Sequence, residues 1–141
     1  MNYKQLKMQR NRKIYFLLIV LTITIGLVSR TEFISSFITE HFGDYLYAIL
    51  FFLIFGFIFT KVQTYRMFLL TLLFCYGIEF FQLYQPKTAN WISFIRSYEV
   101  SRLILGNNFQ WNDIISYTVG VMTGYISETL LYPRFHSKNH K

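Results

Sequence analysis

The chain is 141 residues long, the length of one domain, and is 53% hydrophobic, 21% aromatic and only 15% charged. An ordinary soluble domain carries about 25% charged residues, so this composition excludes a soluble globule whose surface must be covered by charge. The net charge of +7 invites nucleic acid, but its distribution argues against it. Lys4, Lys7, Arg10, Arg12 and Lys13 precede the first apolar run, and Arg134, Lys138 and Lys141 follow the last, the placement that membrane orientation produces.

The first apolar run covers residues 14–29 behind that basic start. No small-x-small cleavage site follows, because Ser29-Arg30-Thr31-Glu32 is too polar, so the run is expected to stay as a first membrane span. A polar, mildly acidic loop from 30 to 44 leads to a second run at 45–60. Both runs hold sixteen uncharged residues, at the short edge of the roughly 17–25 a bilayer needs; snorkelling Lys13, Arg30 and Lys61 extend them. A tight turn at 61–66 makes the second and third spans antiparallel neighbours. The third covers 67–84 and contains Cys75, the only cysteine, expected as a small hydrophobe between helices.

The connection from 85 to 112 is long enough to carry structure or function. Within it Trp91, Phe94, Ile95 and Tyr98 recur at i, i+3, i+4, i+7, predicting a short helix that lies in the interface or dips back into the bundle. The fourth run, 113–132, opens on Trp111-Asn112-Asp113, a polar start suited to capping and to the helix dipole. It contains Gly120-x-x-x-Gly124, a spacing that lets two helices approach closely. Intramolecular packing is its first use, and association between copies its second.

In lipid every backbone group must bond within its own segment, so the four runs are expected to be helices. The fold class is therefore all-α, a four-helix transmembrane bundle in a single domain. With the N-terminus inside, ten of the 14 Lys and Arg fall on cytoplasmic segments and four (Arg30, Lys87, Arg96 and Arg102) fall outside. That imbalance places both termini in the cytoplasm.

Glu79 is the most informative residue. It follows twelve uncharged residues of the third run, roughly 18 Å along a helix. A carboxylate at such depth costs several kcal/mol unless it is paired, hydrogen-bonded or protonated, which marks a functional candidate. Gln82 shares its helical face. Arg30, Asp44 and Asp113 stand at the same level, with Arg96 and Arg102 in the long connection, so these groups are expected to surround one polar pocket at the outer boundary. Ordinary interfacial ion pairing is the plainer account of Arg30, Asp44 and Arg102. Glu128, near the other end of the fourth run, reads as a snorkelling or paired surface charge. His41, His136 and His140 share no metal-binding spacing, and no metal site or cofactor follows from them.

An ordered set of stretches resembles a known family. These are Gly26-Leu27-Val28-Ser29-Arg30, Gly43-Asp44-Tyr45-Leu46-Tyr47-Ala48 and Glu79-Phe80-Phe81-Gln82-Leu83-Tyr84. Then come Arg96, Leu105-Gly106 and Phe109-x-Trp111-x-Asp113-x-x-x-Tyr117-x-x-Gly120. The chain resembles the small bacterial VanZ-like membrane proteins, and specifically the family catalogued as domain of unknown function 2809. It departs from the wider VanZ pattern at Tyr117, where that pattern has Asn, and from the narrower one at Ser101 and Arg102, where glycine is expected. The resemblance implies a bacterial inner-membrane protein, brings no established activity, and through VanZ points to the outer leaflet and the cell envelope.

The leading functional expectation is a binding protein for a membrane lipid or envelope precursor. Arg30 and Arg96 would meet phosphate or carboxylate, while Asp44, Glu79, Gln82 and Asp113 orient them or bind polar groups. An enzyme using Glu79 as general acid or base, with Asp113 as its charged counterpart, is the alternative. Against it, the sequence offers no plausible Ser-His or Cys-His pair, no metal cluster and no glycine-rich phosphate loop. An accessory subunit of a larger membrane complex is the third expectation.

Overall fold

The computed structural model of the chain describes residues 9–29, 36–83, 91, 94, 97–98, 110–131 and 136–137. Four helices run through them: α1 Arg12–Ser29, α2 Ser36–Ile58, α3 Thr64–Leu83 and α4 Trp111–Leu130. Two-residue strands, β1 Gln9–Arg10 and β2 His136–Ser137, pair antiparallel and bring the two flanking segments together at one end. The connection between α2 and α3 lies at that same end, which is called the turn end here; α2 and α4 begin at the opposite end.

Three of the described helical stretches are long and apolar enough to cross a membrane: Arg12–Ser29, His41–Ile58 and Thr64–Leu83. Their outward faces are apolar, with Leu17, Leu27 and Leu73 each exposed by more than 60%. In water such continuous surfaces would drive aggregation; facing lipid they cost nothing. The fold is that of a multi-pass helical membrane protein. The fourth apolar run of the sequence is the helix α4, but Asn112, Asp113, Ser116, Thr118, Thr123, Ser127, Glu128 and Thr129 dilute it below the apolarity of the other three.

Each helix turns a narrow stripe inward. On α1 the buried residues are Tyr15, Thr22 and Ser29, one every seven positions, a seam against a single neighbour. The hydroxyls of Thr22 and Ser29 donate to the carbonyls of Leu18 and Gly26, so neither polar group is buried at a loss. Asn11 caps the helix, its Oδ1 accepting the Lys13 N–H at 3.1 Å. On α3 the stripe is Met67, Thr71, Cys75, Glu79 and Gln82. Glu79 thus continues the core-facing row of its helix.

The closest pairing is α2 with α4. A β-carbon at Gly120 would stand 2.5 Å from the Tyr45 carbonyl oxygen and 2.8 Å from the Ala48 Cβ, and one at Gly124 would stand 2.8 Å from the Phe52 ring. The two glycines therefore set the α2–α4 distance within one chain. Ala48, Phe52, Met67, Cys75, Tyr117 and Val121 form the core between α2, α3 and α4. Phe74 of α3 packs between Phe51 and Phe55 of α2, at centroid distances of 4.7 and 5.3 Å. The Tyr76 hydroxyl shares a hydrogen bond with Thr118, tying α3 to α4. Helix α1 stands outside this trio and leans on α2.

Most helix ends lie within three residues of the sequence expectation, and the start of α2 differs far more. Helix α2 begins at Ser36, nine residues before the expected start at 45. Apolarity marks only the lipid-compatible part of a helix, and backbone hydrogen bonding continues it through a stretch that carries Thr39, Glu40, His41 and Asp44. Asp44 therefore sits two turns inside α2 and does not open it. Helix α4 begins at Trp111, after an extended Gln110 with no side-chain cap. In the long connection, Trp91 and Phe94 are helical and exposed, and Tyr98 meets Phe94 edge-on at 5.5 Å; Ile95, Arg96 and Arg102 lie outside the described residues.

Candidate functional site

At the end where α2 and α4 begin, three helices deliver polar side chains to one place. From α3 comes Glu79, completely buried. Its Oε1 accepts the backbone N–H of Gln110 at 3.1 Å, and its Oε2 accepts the Tyr117 hydroxyl at 3.4 Å. Gln110 is the N-cap residue of α4, so an acid from another helix does what a capping-box Glu does from within. The carboxylate also lies where the helix dipole favours negative charge. Fold and site thus share one contact: the group that orders the start of α4 is the buried acid.

Around it stand Asp113 in the first turn of α4 and Asp44 on α2. Asp113 is close enough to Glu79 to act on it electrostatically, and Asp44, Glu79 and Asp113 all act on the Tyr117 hydroxyl. Tyr47, one turn after Asp44, packs its ring on that of Tyr117 at 5.8 Å. His41, one turn before Asp44, completes the group: one ligand atom from each of His41, Asp44 and Asp113 lies within 4.8 Å of the others. Gln82 is 4% exposed, and its Oε1 has no hydrogen-bond partner among the described residues.

Of the six residues expected to form a site, Asp44, Glu79 and Asp113 come together here, and Gln82 sits one turn beyond Glu79 on the same face. Arg30 and Arg96 lie outside the described residues. Comparing histidines only with each other passed over His41, whose companions are carboxylates, one on its own helix and one on α4. The i, i+3 spacing of His41 and Asp44 was the available signal. Tyr47 and Tyr117 carried a weaker one, standing one turn from Asp44 and Asp113.

A second polar cluster occupies the turn end. Arg10 is 2% exposed and its Nε pairs with Glu128 Oε1 at 2.7 Å. Its Nη1 donates to the Phe59 and Val62 carbonyls, and its backbone N–H donates to the Thr60 carbonyl at 3.1 Å. Thr64 donates to the same Glu128 oxygen at 3.0 Å, and the Tyr15 hydroxyl faces both charges. Glu128 is thus paired, as one expected reading had it, but buried and not at the surface, and Arg10, expected only as a flanking charge, turns inward to meet it. The carbonyls left open after α2 need donors, and a guanidinium supplies several at once, so the charge is drawn inward and takes Glu128 with it.

The class defined by this fold and site is a small helical membrane protein with a buried carboxylate and further acids at one end of its bundle. The family model described as "Protein of unknown function (DUF2809)" matches residues 33–121, and the chain belongs to that family. The matched stretch contains His41, Asp44, Glu79, Gln82 and Asp113, whereas Arg10 and Glu128 fall outside it. No solved structure matches the chain.

Proposed function

We propose that this protein crosses the bacterial inner membrane four times, with both termini in the cytoplasm, and binds the polar headgroup of a cell-envelope amphiphile at the outer end of its bundle. α4 is the fourth crossing in this reading: twenty residues reach about 30 Å, Glu128 is buried, Thr118 is bonded to Tyr76 of α3, and the Thr123 and Thr129 hydroxyls bond back to carbonyls of their own helix. The turn end is then cytoplasmic, in keeping with Arg12, Lys13, Lys61 and Arg66 there. The amphipathic segment around Trp91, Phe94 and Tyr98 lies against the outer leaflet.

The observation that carries the headgroup reading is the burial of Glu79. A carboxylate held by one backbone N–H and one tyrosine hydroxyl, with two aspartates nearby, is costly to build into a membrane helix. A bound polar ligand is a reason to keep it. Arg30 and Arg96 supply the cations for a phosphate or carboxylate, and the acids orient them or take up hydroxyl and ammonium groups.

The test is the lipid complement of the protein purified in mild detergent, read by mass spectrometry for wild type, Glu79→Gln and Arg96→Ala. A specific amphiphile present in wild type and depleted in both variants supports the proposal. The same unselective lipid profile in all three overturns it.

A further inference from the structure

We propose that His41, Asp44 and Asp113 hold a divalent first-row transition-metal ion. This goes beyond headgroup binding and does not require it.

The geometry comes first. An imidazole nitrogen and two carboxylate oxygens, on two different helices, lie within 4.8 Å of one another. Ligand atoms about 2.0–2.2 Å from a shared ion are separated by up to about 4.4 Å, so small side-chain rotations bring all three onto one centre. Two of the three ligands stand one turn apart on α2, and the third sits in the first turn of α4. The α2–α4 spacing, which sets their separation, is fixed by the glycine contacts at Gly120 and Gly124. The framework is therefore rigid where the ligands are short.

The surroundings favour a cation. Glu79 acts electrostatically on Asp113, and its two hydrogen bonds come from neutral donors. Independently, Gln82 presents a buried amide oxygen with no hydrogen-bond partner among the described residues, on the same face as Glu79. His41, Asp44 and Asp113 each engage other groups as well, which an ion would share or displace. The donor set of one nitrogen and two carboxylate oxygens suits Zn²⁺, Mn²⁺ or Fe²⁺, with no soft sulfur ligand to select Cu(I).

The experiment uses the full chain in detergent, stripped of metal with a chelator, with His136→Ala and His140→Ala introduced to remove competing imidazoles. Zn²⁺ alone is titrated by calorimetry, and Co²⁺ absorption reports the ligand set. One Zn²⁺ per chain at micromolar affinity or tighter is expected. At least tenfold weaker binding is expected in His41→Gln, Asp44→Asn and Asp113→Asn, and these near-isosteric variants are checked for unchanged thermal unfolding in the absence of metal. Binding weaker than millimolar, or equal affinity in all three variants, overturns the site. The titration contains no envelope lipid, so its failure leaves the headgroup reading standing, and loss of the lipid result leaves this one standing.

Discussion

Arg10 and Glu128 meet at 2.7 Å across 118 positions of sequence, and both side chains are almost completely excluded from solvent. Removing one partner of a buried ion pair typically costs about 3–5 kcal/mol, because the other charge stays behind unpaired. Arg10→Ala and Glu128→Ala are each expected to destabilise the protein by that amount, measured as thermal unfolding in detergent. Replacing both residues with apolar ones often restores such pairs. Here it is not expected to, since Arg10 also satisfies the Phe59 and Val62 carbonyls. Arg10→Met with Glu128→Leu should remain about 1–3 kcal/mol below wild type, the cost of unsatisfied acceptors; full recovery would show that the carbonyls are served by water.

The glycines make a second, internally controlled prediction. Gly120→Ala forces a methyl against a backbone carbonyl that cannot rotate away, and overpacking of this kind costs about 1–3 kcal/mol. Gly77, on the exposed face of α3, has nothing within 4 Å of an added β-carbon. Gly77→Ala is expected to be neutral or to stabilise by up to about 1 kcal/mol through helix propensity. Equal effects of the two substitutions on unfolding would contradict the close α2–α4 approach.

Tyr117→Phe removes one of the two hydrogen bonds to Glu79 and leaves the ring against Tyr47 in place. A loss of about 1 kcal/mol in stability is expected, the usual net worth of one hydrogen bond. Glu79→Ala should cost more than Tyr117→Phe, because it also strips the Gln110 N–H of its partner at the start of α4. Amide hydrogen exchange is expected to rise across the first turn of α4 in Glu79→Ala and to change little in Tyr117→Phe.

Topology is testable through the lone cysteine. Cys75 is free and fully buried, so the folded protein should resist maleimide until it is denatured. In a Cys75→Ala background, Trp111→Cys should react with a membrane-impermeant maleimide added to intact spheroplasts, while Lys61→Cys should react only after the membrane is opened. Labelling of Lys61→Cys from outside would reverse the proposed orientation.

Much of this fold was legible because lipid imposes simple rules. Long apolar runs located α1 and α3 to within two or three residues, and the depth of Glu79 marked it as buried before any neighbour was known. The start of α2 was not legible, because residues 36–44 mix Phe37, Ile38 and Phe42 with Ser36, Thr39, Glu40, His41 and Asp44, so no continuous apolar run marks that part of the helix. The helical state of α4 was legible, but its composition reflects contact with two helices at once. Within the site, Asp44, Glu79 and Asp113 followed from level alone. His41 did not, since its companions are carboxylates and one of them arrives from 72 positions further along the chain. Arg10 was hidden for a different reason: a basic residue before a span is ordinarily explained by orientation, and nothing local distinguishes the one that turns inward.

The Arg10–Glu128 contact also has a bearing on synthesis. Arg10 is made 118 residues before Glu128, so at about 5–20 residues per second the arginine waits about 6–24 s for its partner. During that interval the guanidinium can order the carbonyls after α2 once they emerge, but its counter-charge is missing. The cluster can close only when α4 has been delivered. A chain interrupted before α4 therefore carries an uncompensated cation at the bundle's edge, and the arrival of α4 is what neutralises it.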